Sequence, residues 1–174
     1  MSVVSQFVTY LLYFIAFTAL QVLLFLHLTL LDGWGICFVY LAFILMLPYQ
    51  VTPIALMTLG FISGLVIDLF YNTFGIHAAA TVLVAFLRPY IINFLTPRGG
   101  YDEGVHVSIR TLGIGWFISY AAIVIFIHHA TLFFIWSLGF DNFFITTGKI
   151  LVSSIFTLGI IILVQFLIQS PKKN

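Results

Sequence analysis

This sequence has very few charged residues for its length. Of its 174 residues, six are basic, five are acidic and 63% are hydrophobic. The first charged side chain is Asp32, and charge is absent from four long runs, at residues 33–67, 69–87, 111–140 and 150–171. A soluble domain of this size cannot hide so much apolar surface from water. The composition therefore predicts an all-α, polytopic membrane protein, because such runs are long enough to cross a bilayer as helices.

Cysteine and net charge are also scarce. The single cysteine, Cys37, excludes an internal disulfide, and its apolar surroundings indicate a packing role. A net charge of +1 gives no reason to expect nucleic acid or a strongly acidic partner. Residues 1–31 lack the basic segment that opens a signal peptide, so we interpret them as a retained first helix.

Helix-breaking residues divide the chain into six predicted spans within a single domain, residues 1–174. The predicted spans are residues 7–31, 34–47, 53–71, 76–95, 108–127 and 142–167. Six spans place both termini on one side of the membrane. That side receives Arg98, Arg110, Lys172 and Lys173, whereas the other side receives only Lys149. By the positive-inside rule, both termini are expected to be cytoplasmic.

One face of the third predicted span, residues 53–71, carries Gly60, Gly64 and Asp68 at every fourth position. Two small residues at this spacing let another helix approach closely in lipid. The face therefore either packs inside the bundle or docks a partner. An acid within an apolar span is costly, and Asp68 is for that reason a candidate functional residue.

The nature of that function stays open at this point. Structural, partner-binding, ion-binding and proton-relay roles are all compatible with Asp68, although no second buried acid accompanies it as an ion path would require. Lys149 lies at a compatible depth, about two turns from the outer end of its helix, so we expect the two side chains to form an intramembrane ion pair. Arg88 is instead expected to extend its side chain toward the cytoplasm.

Two further groups of residues contain side-chain types that occur in catalytic or metal sites. Ser63, His77 and Asp68 are residue types of a catalytic triad. However, Ser63 is one position away from the helix face that carries Asp68, and His77 lies about two turns above Ser63, so the geometry does not fit a triad. His128 and His129 are adjacent, so on a helix they point about 100° apart and chelate a metal poorly. We interpret them as interfacial residues. No catalytic residue, metal site or cofactor is expected.

The segment Gly-Leu-Val-Ile-Asp-Leu-Phe-Tyr-Asn-Thr-Phe-Gly at residues 64–75 resembles the MreD family, the small membrane subunit of the bacterial rod-shape machinery. The resemblance extends to Leu-Arg-Pro at residues 87–89 and to Thr-Pro-Arg-Gly-Gly-Tyr-Asp-Glu at residues 96–103. These two segments look like the version of the family found in Bacteroidetes-type bacteria. The resemblance implies a six-helix bundle similar to the substrate-binding subunit of energy-coupling-factor vitamin transporters.

The resemblance also implies a function. It suggests a non-enzymatic scaffold of the bacterial cytoplasmic (inner) membrane, in contact with lipid, that binds an MreC-type bitopic protein. By direct or indirect contact, the scaffold would also support a RodA-type glycosyltransferase and its transpeptidase, which act in peptidoglycan synthesis and cell shape. Gly60, Gly64 and Asp68 are the expected partner contacts. The alternative is a substrate-binding subunit of a small-molecule, vitamin-like transporter, but the spans offer few polar side chains for such a pocket.

Overall fold

The computed structural model describes residues 3–101, 106–139 and 142–168. Within these ranges there are seven α-helices: α1 Val3–Leu20, α2 Leu41–Met46, α3 Pro53–Tyr71, α4 Ile76–Phe94, α5 Ile109–Leu112, α6 Ile114–Trp136 and α7 Phe143–Ile168. In the described part, five helical segments are long and apolar enough to cross a membrane, and the first of them continues from α1 to Phe25. The chain is therefore nearly all-α, and these helices are compatible with a multi-pass membrane protein.

Three of the six predicted spans agree closely with the structure. The first, predicted at residues 7–31, ends as a helix at Phe25, because a short strand lies at Thr29–Leu30. The predicted third, fourth and sixth spans match α3, α4 and α7 within one residue at each end. The fifth span, predicted at residues 108–127, is displaced because Gly113, at φ 83°, separates α5 from α6. As a result α6 includes the apolar stretch after residue 127 and ends only at Trp136.

The predicted second span, residues 34–47, is not a continuous helix. Two short antiparallel strands, β1 Thr29–Leu30 and β2 Gly35–Ile36, form a hairpin, and the chain is irregular before α2 begins. From Cys37 to Leu47 no side chain is more than 9% exposed. Irregular backbone at membrane depth is tolerated only where protein surrounds it, and this segment meets that condition. Residues 37–47 are called the core segment below.

The core segment runs lengthwise through the bundle. Next to its beginning, the Ile36 N–H donates to Ser153 Oγ in the first part of α7. At its end, the carbonyl of Leu47 accepts from Arg88, close to the end of α4. We call the end of the bundle that carries β1, β2 and the turn at residues 72–75 the hairpin end, and the other the opposite end.

Candidate functional site

The face of α3 that carries Gly60 and Gly64 is covered by α4. A Cβ added to Gly64 would lie 2.4 Å from Ala78 Cα and 2.5 Å from the Ala78 nitrogen, and one added to Gly60 would lie 3.1 Å from Ala85 Cβ. Only glycine allows two backbones to approach as closely as they do at Gly64. Of the two roles expected for this face, the structure shows packing inside the bundle, because another helix of the same chain covers it.

Asp68 is buried at 2% exposure and serves as the N-terminal cap of α4. Its Oδ1 accepts hydrogen bonds from Thr73 Oγ1 at 2.5 Å and from the His77 backbone N–H at 3.0 Å, and its Oδ2 accepts from the Ala78 N–H at 2.9 Å. Gly75, the residue at the N-cap position, has no side chain to do this. Asp68 thus places a negative charge at the positive end of the α4 dipole. It is not exposed for contact with a partner.

The turn between α3 and α4 completes this arrangement. Asn72 adopts the left-handed conformation at φ 52°, and its N–H donates to the carbonyl of Asp68, in the last turn of α3. The Thr73 N–H donates to the same carbonyl at 3.0 Å. Residues 64–75, which carry the family resemblance, therefore build a tightly packed helical hairpin.

The expected ion pair between Asp68 and Lys149 is not among the contacts of the described residues. Both carboxylate oxygens of Asp68 already accept hydrogen bonds from the turn and from the first turn of α4. Lys149 instead lines a cleft with Trp136 and Thr146. The physical reason for the difference is that backbone N–H groups stabilise the buried acid, and estimates of depth along a helix cannot reveal them.

Substitution of Asp68 tests its capping role. Asp68→Ala leaves two backbone N–H groups unpaired in the protein interior, and we expect a loss of about 2 kcal/mol or more in the free energy of unfolding, since one buried unpaired donor costs roughly 1–3 kcal/mol. Asp68→Asn keeps one acceptor oxygen, so we expect a smaller loss in the free energy of unfolding. The measurement is thermal unfolding in detergent, followed by a thiol-reactive dye on the buried Cys37.

The matched control for this test is Asp32→Asn, the same chemical change at an exposed acid in a turn. Asp32 has φ 52°, a conformation that asparagine also tolerates, so its substitution should leave the melting temperature unchanged. An Asp68→Ala protein as stable as this control would contradict the capping role.

A second buried group of polar side chains surrounds Tyr40 in the core segment. The Tyr40 hydroxyl lies 2.9 Å from Thr81 Oγ1, 2.8 Å from His128 Nε2 and 3.3 Å from His77 Nδ1. Thr81 uses its own proton to donate to the His77 carbonyl at 2.7 Å, so its oxygen accepts from Tyr40 and both imidazoles donate to Tyr40. In this assignment the unpartnered His77 Nε2 and His128 Nδ1 are acceptors, and neither of these two imidazoles has a buried N–H without a partner.

The interpretation of His128 and His129 as interfacial residues is wrong, since both are fully buried. His129 Nδ1–H donates to the Ile125 carbonyl at 2.8 Å, so its Nε2 accepts from the Thr157 hydroxyl at 3.1 Å. The Thr157 oxygen in turn accepts from the Phe38 N–H. These side chains supply hydrogen bonds where the core segment has no helix of its own. Across the described ranges, no group of three or more His, Cys, Asp or Glu side chains is placed to hold a metal.

A π-helical turn, Gln21–Phe25, supports the core segment from the side of α1. The buried Gln21 amide donates to the Cys37 carbonyl at 3.0 Å and to the Tyr71 hydroxyl at 2.7 Å, and its oxygen accepts from the Tyr40 N–H at 3.4 Å. Such π-turns re-aim side chains that a regular helix would point elsewhere. Ser63, the nucleophile of the triad considered above, has no hydrogen-bond partner for its hydroxyl among the described residues.

Arg88 holds the opposite end of the core segment. The expectation that it extends toward water is wrong, because the side chain is 0% exposed. Its Nε donates to the Tyr120 hydroxyl at 2.8 Å, and its two terminal nitrogens donate to the carbonyls of Leu45, Leu47 and Pro48. These carbonyls lie at and just after the C-terminus of α2, which carries partial negative charge and has no further helical donors. The planar guanidinium suits several acceptors at once.

A cleft of about 470 Å³ opens at the hairpin end, between the strands, the end of α6 and the beginning of α7. It is lined by Gly33, Ile36, Phe133, Trp136, Ser137, Asn142, Ile145, Thr146 and Lys149. The Trp34 ring packs close by, where a Cβ on Gly148 would lie 2.8 Å from its Cζ3. Lys149 is half-buried and forms no ion pair with any described residue. The cleft combines a cation, hydrogen-bonding groups and aromatic rings, the usual composition of a small-ligand site.

An apolar groove follows α1 along α2 and α3. It contains two cavities. One of about 320 Å³ has Phe7 of α1 and Ile62 of α3 in its lining, and one of about 400 Å³ has Phe14 of α1 and Phe70 of α3 in its lining. Only 11% of the first apolar span is buried inside the chain, compared with 50% of the span formed by α4. We call this surface the α1–α3 groove.

Comparison of the chain with models of protein families, with curated proteins and with solved structures gives no match in any of the three. The likeness to MreD therefore rests on residues 64–75, 87–89 and 96–103. The acids at positions 102 and 103, and the two lysines at positions 172 and 173 used for the topology prediction, lie outside the described residues.

Proposed function

We propose that this chain is a non-enzymatic membrane scaffold of the bacterial cell-elongation machinery, as the resemblance to MreD implies. In this proposal it lies in the inner membrane with both termini in the cytoplasm and the hairpin end toward the periplasm. The core segment acts as a sixth crossing, in a bundle like that of the energy-coupling-factor subunits. The scaffold binds an MreC-type bitopic protein and supports a RodA-type glycosyltransferase and its transpeptidase.

The α1–α3 groove carries this proposal. The glycine face first expected to dock a partner is filled by α4, whereas the α1–α3 groove is open and extends along much of α1. Large apolar side chains of a single transmembrane helix can insert into its two cavities, as ridges of one helix fill the grooves of another. A bitopic partner has one such helix, and we propose that this helix binds in the α1–α3 groove.

Photo-crosslinking in host membranes tests this interface. Benzoylphenylalanine replaces Ile15 on α1 or Phe70 on α3, two exposed residues that border the same cavity. After illumination, both variants should form an adduct with the MreC-type protein. The control position is Phe126 on α6, which is also exposed but lies in a different groove, between α6 and α7. Equal labelling at Phe126, or no adduct at Ile15 and Phe70, would contradict the proposal.

The cleft at Lys149 favours the second candidate, a substrate-binding subunit of a transporter, because it has the size and mixed lining of a small-ligand pocket. Depletion of the protein in its host separates the two functions. Rounded cells support the scaffold. Cells of normal shape that no longer take up a small anionic solute support the transporter.

A further inference from the structure

We propose that the cleft around Lys149 binds the anionic phosphate headgroup of a membrane phospholipid. The first argument is charge. Lys149 follows the beginning of α7, Phe143, by about 9 Å of helix and is half-buried in an otherwise apolar span. A cation in this position is costly unless an anion neutralises it. No carboxylate of the described residues does so, Asp141 lies outside those residues, and an external anion can take this place.

The second argument is the supply of hydrogen-bond donors. The Thr146 hydroxyl and the Asn142 amide line the same cleft as the Lys149 ammonium. Thr146 is only 7% exposed, and Asn142 lies at the rim. Phosphate oxygens accept short, strong hydrogen bonds from such cationic and neutral donors together. The donor set therefore fits a phosphate better than a neutral ligand.

The third argument is the surface around the cleft, which decides between a lipid and a soluble anion. Beside the cleft, Leu138 is 93% exposed, Phe144 88% and Ile145 52%. The rings of Trp34 and Trp136 are also partly exposed here, as is typical of residues at the boundary between hydrocarbon and headgroups. An occupant of this site meets apolar surface and a cation side by side. A phospholipid presents its acyl chains and its phosphate in that arrangement.

The proposal does not depend on the scaffold function and is tested on the purified full-length protein in a neutral detergent. Native mass spectrometry measures the binding of dioctanoyl phosphatidylglycerol, dioctanoyl phosphatidylcholine and inorganic phosphate. We expect phosphatidylglycerol to bind about tenfold more tightly than phosphatidylcholine, and inorganic phosphate to bind more weakly than either. Inorganic phosphate that binds as tightly as phosphatidylglycerol would overturn the lipid as the source of the phosphate.

Variants assign the binding to this cleft. Lys149→Gln should weaken phosphatidylglycerol binding about tenfold, whereas Lys149→Arg should retain it. Thr146→Val, which keeps the side-chain volume, should weaken binding by a smaller factor. The matched control is Arg98→Gln, which removes one exposed positive charge at the opposite end of the bundle and should leave binding unchanged. Loss of binding in the control, or unchanged binding in both Lys149→Gln and Thr146→Val, would overturn the proposal.

Discussion

Gly64→Ala is expected to lower the free energy of unfolding by about 3 kcal/mol, the upper part of the usual range for overpacking. The added Cβ would lie 2.4 Å from Ala78 Cα and 2.6 Å from the His77 carbonyl oxygen. Both neighbours are backbone atoms and cannot rotate away, so α3 and α4 must separate. Their separation also withdraws Asp68 from the N–H groups of His77 and Ala78. One methyl group therefore weakens packing and capping together.

Two other glycines provide controls for this prediction. Gly60→Ala meets Ala85 Cβ and the Thr81 carbonyl oxygen, both at 3.1 Å, and should cost about 1 kcal/mol, the lower end of the range for overpacking. Gly159→Ala points into open space on α7 and should cost nothing. Thermal unfolding of the three variants in detergent, reported by dye labelling of Cys37, ranks them. A Gly64→Ala protein no less stable than Gly60→Ala would contradict the close α3–α4 contact.

The elements that the sequence predicts well are those with local signals at both ends. Thr52 accepts from the Ala55 N–H and Pro53 follows at the first helical position, as expected for a helix start. Gly75, at φ 84°, separates α3 from α4 where the polar turn residues indicate it. Between such signals, a continuous apolar run long enough to cross a bilayer is enough to place a helix.

The core segment shows what local signals cannot predict. Its apolar residues are compatible with a helix or with a buried irregular chain, and the difference lies in distant partners. The Ile36 N–H donates to Ser153 and the Phe38 N–H donates to Thr157, both more than 100 positions away in the sequence. A residue such as Thr157 in an apolar helix gives no indication that it serves the backbone of another segment.

Asp68 shows a different limit. Its position in an apolar span indicates that the buried acid needs polar partners within the protein. Lys149 is the partner that a sequence indicates for Asp68, because only side chains carry charges that a sequence makes visible. The actual donors are the Thr73 hydroxyl and the backbone N–H groups of His77 and Ala78, which any sequence would offer at a helix start. The residue could be predicted, whereas its role required the structure.

Arg88→Met is expected to have the largest effect at the opposite end, a loss on the order of 4 kcal/mol. The Leu47 carbonyl loses its donor, and an unpaired buried oxygen costs roughly 1–3 kcal/mol. The Leu45 carbonyl and the Tyr120 hydroxyl each lose a hydrogen bond from a charged donor but keep the one between them. Methionine fills much of the same volume, so the loss reports hydrogen bonds rather than a cavity. Arg88→Lys keeps the charge but offers one compact donor group in place of a planar fork, and should have an intermediate stability.

The location of Cys37 allows a measurement that global unfolding does not. Cys37 lies in the core segment, so Arg88→Met should raise the rate of its labelling at temperatures well below the melting point, because the segment has lost its attachment at Leu47. Tyr120→Phe leaves the Arg88 Nε–H without its acceptor and removes a donor to the Leu45 carbonyl, so it should cost about 2 kcal/mol, less than Arg88→Met. Arg98→Met, at an exposed position, should change neither quantity. If the dye labels Cys37 at the same rate in the Arg88→Met and Arg98→Met proteins, the prediction is wrong, and the polar contacts near the hairpin end are enough to hold the core segment.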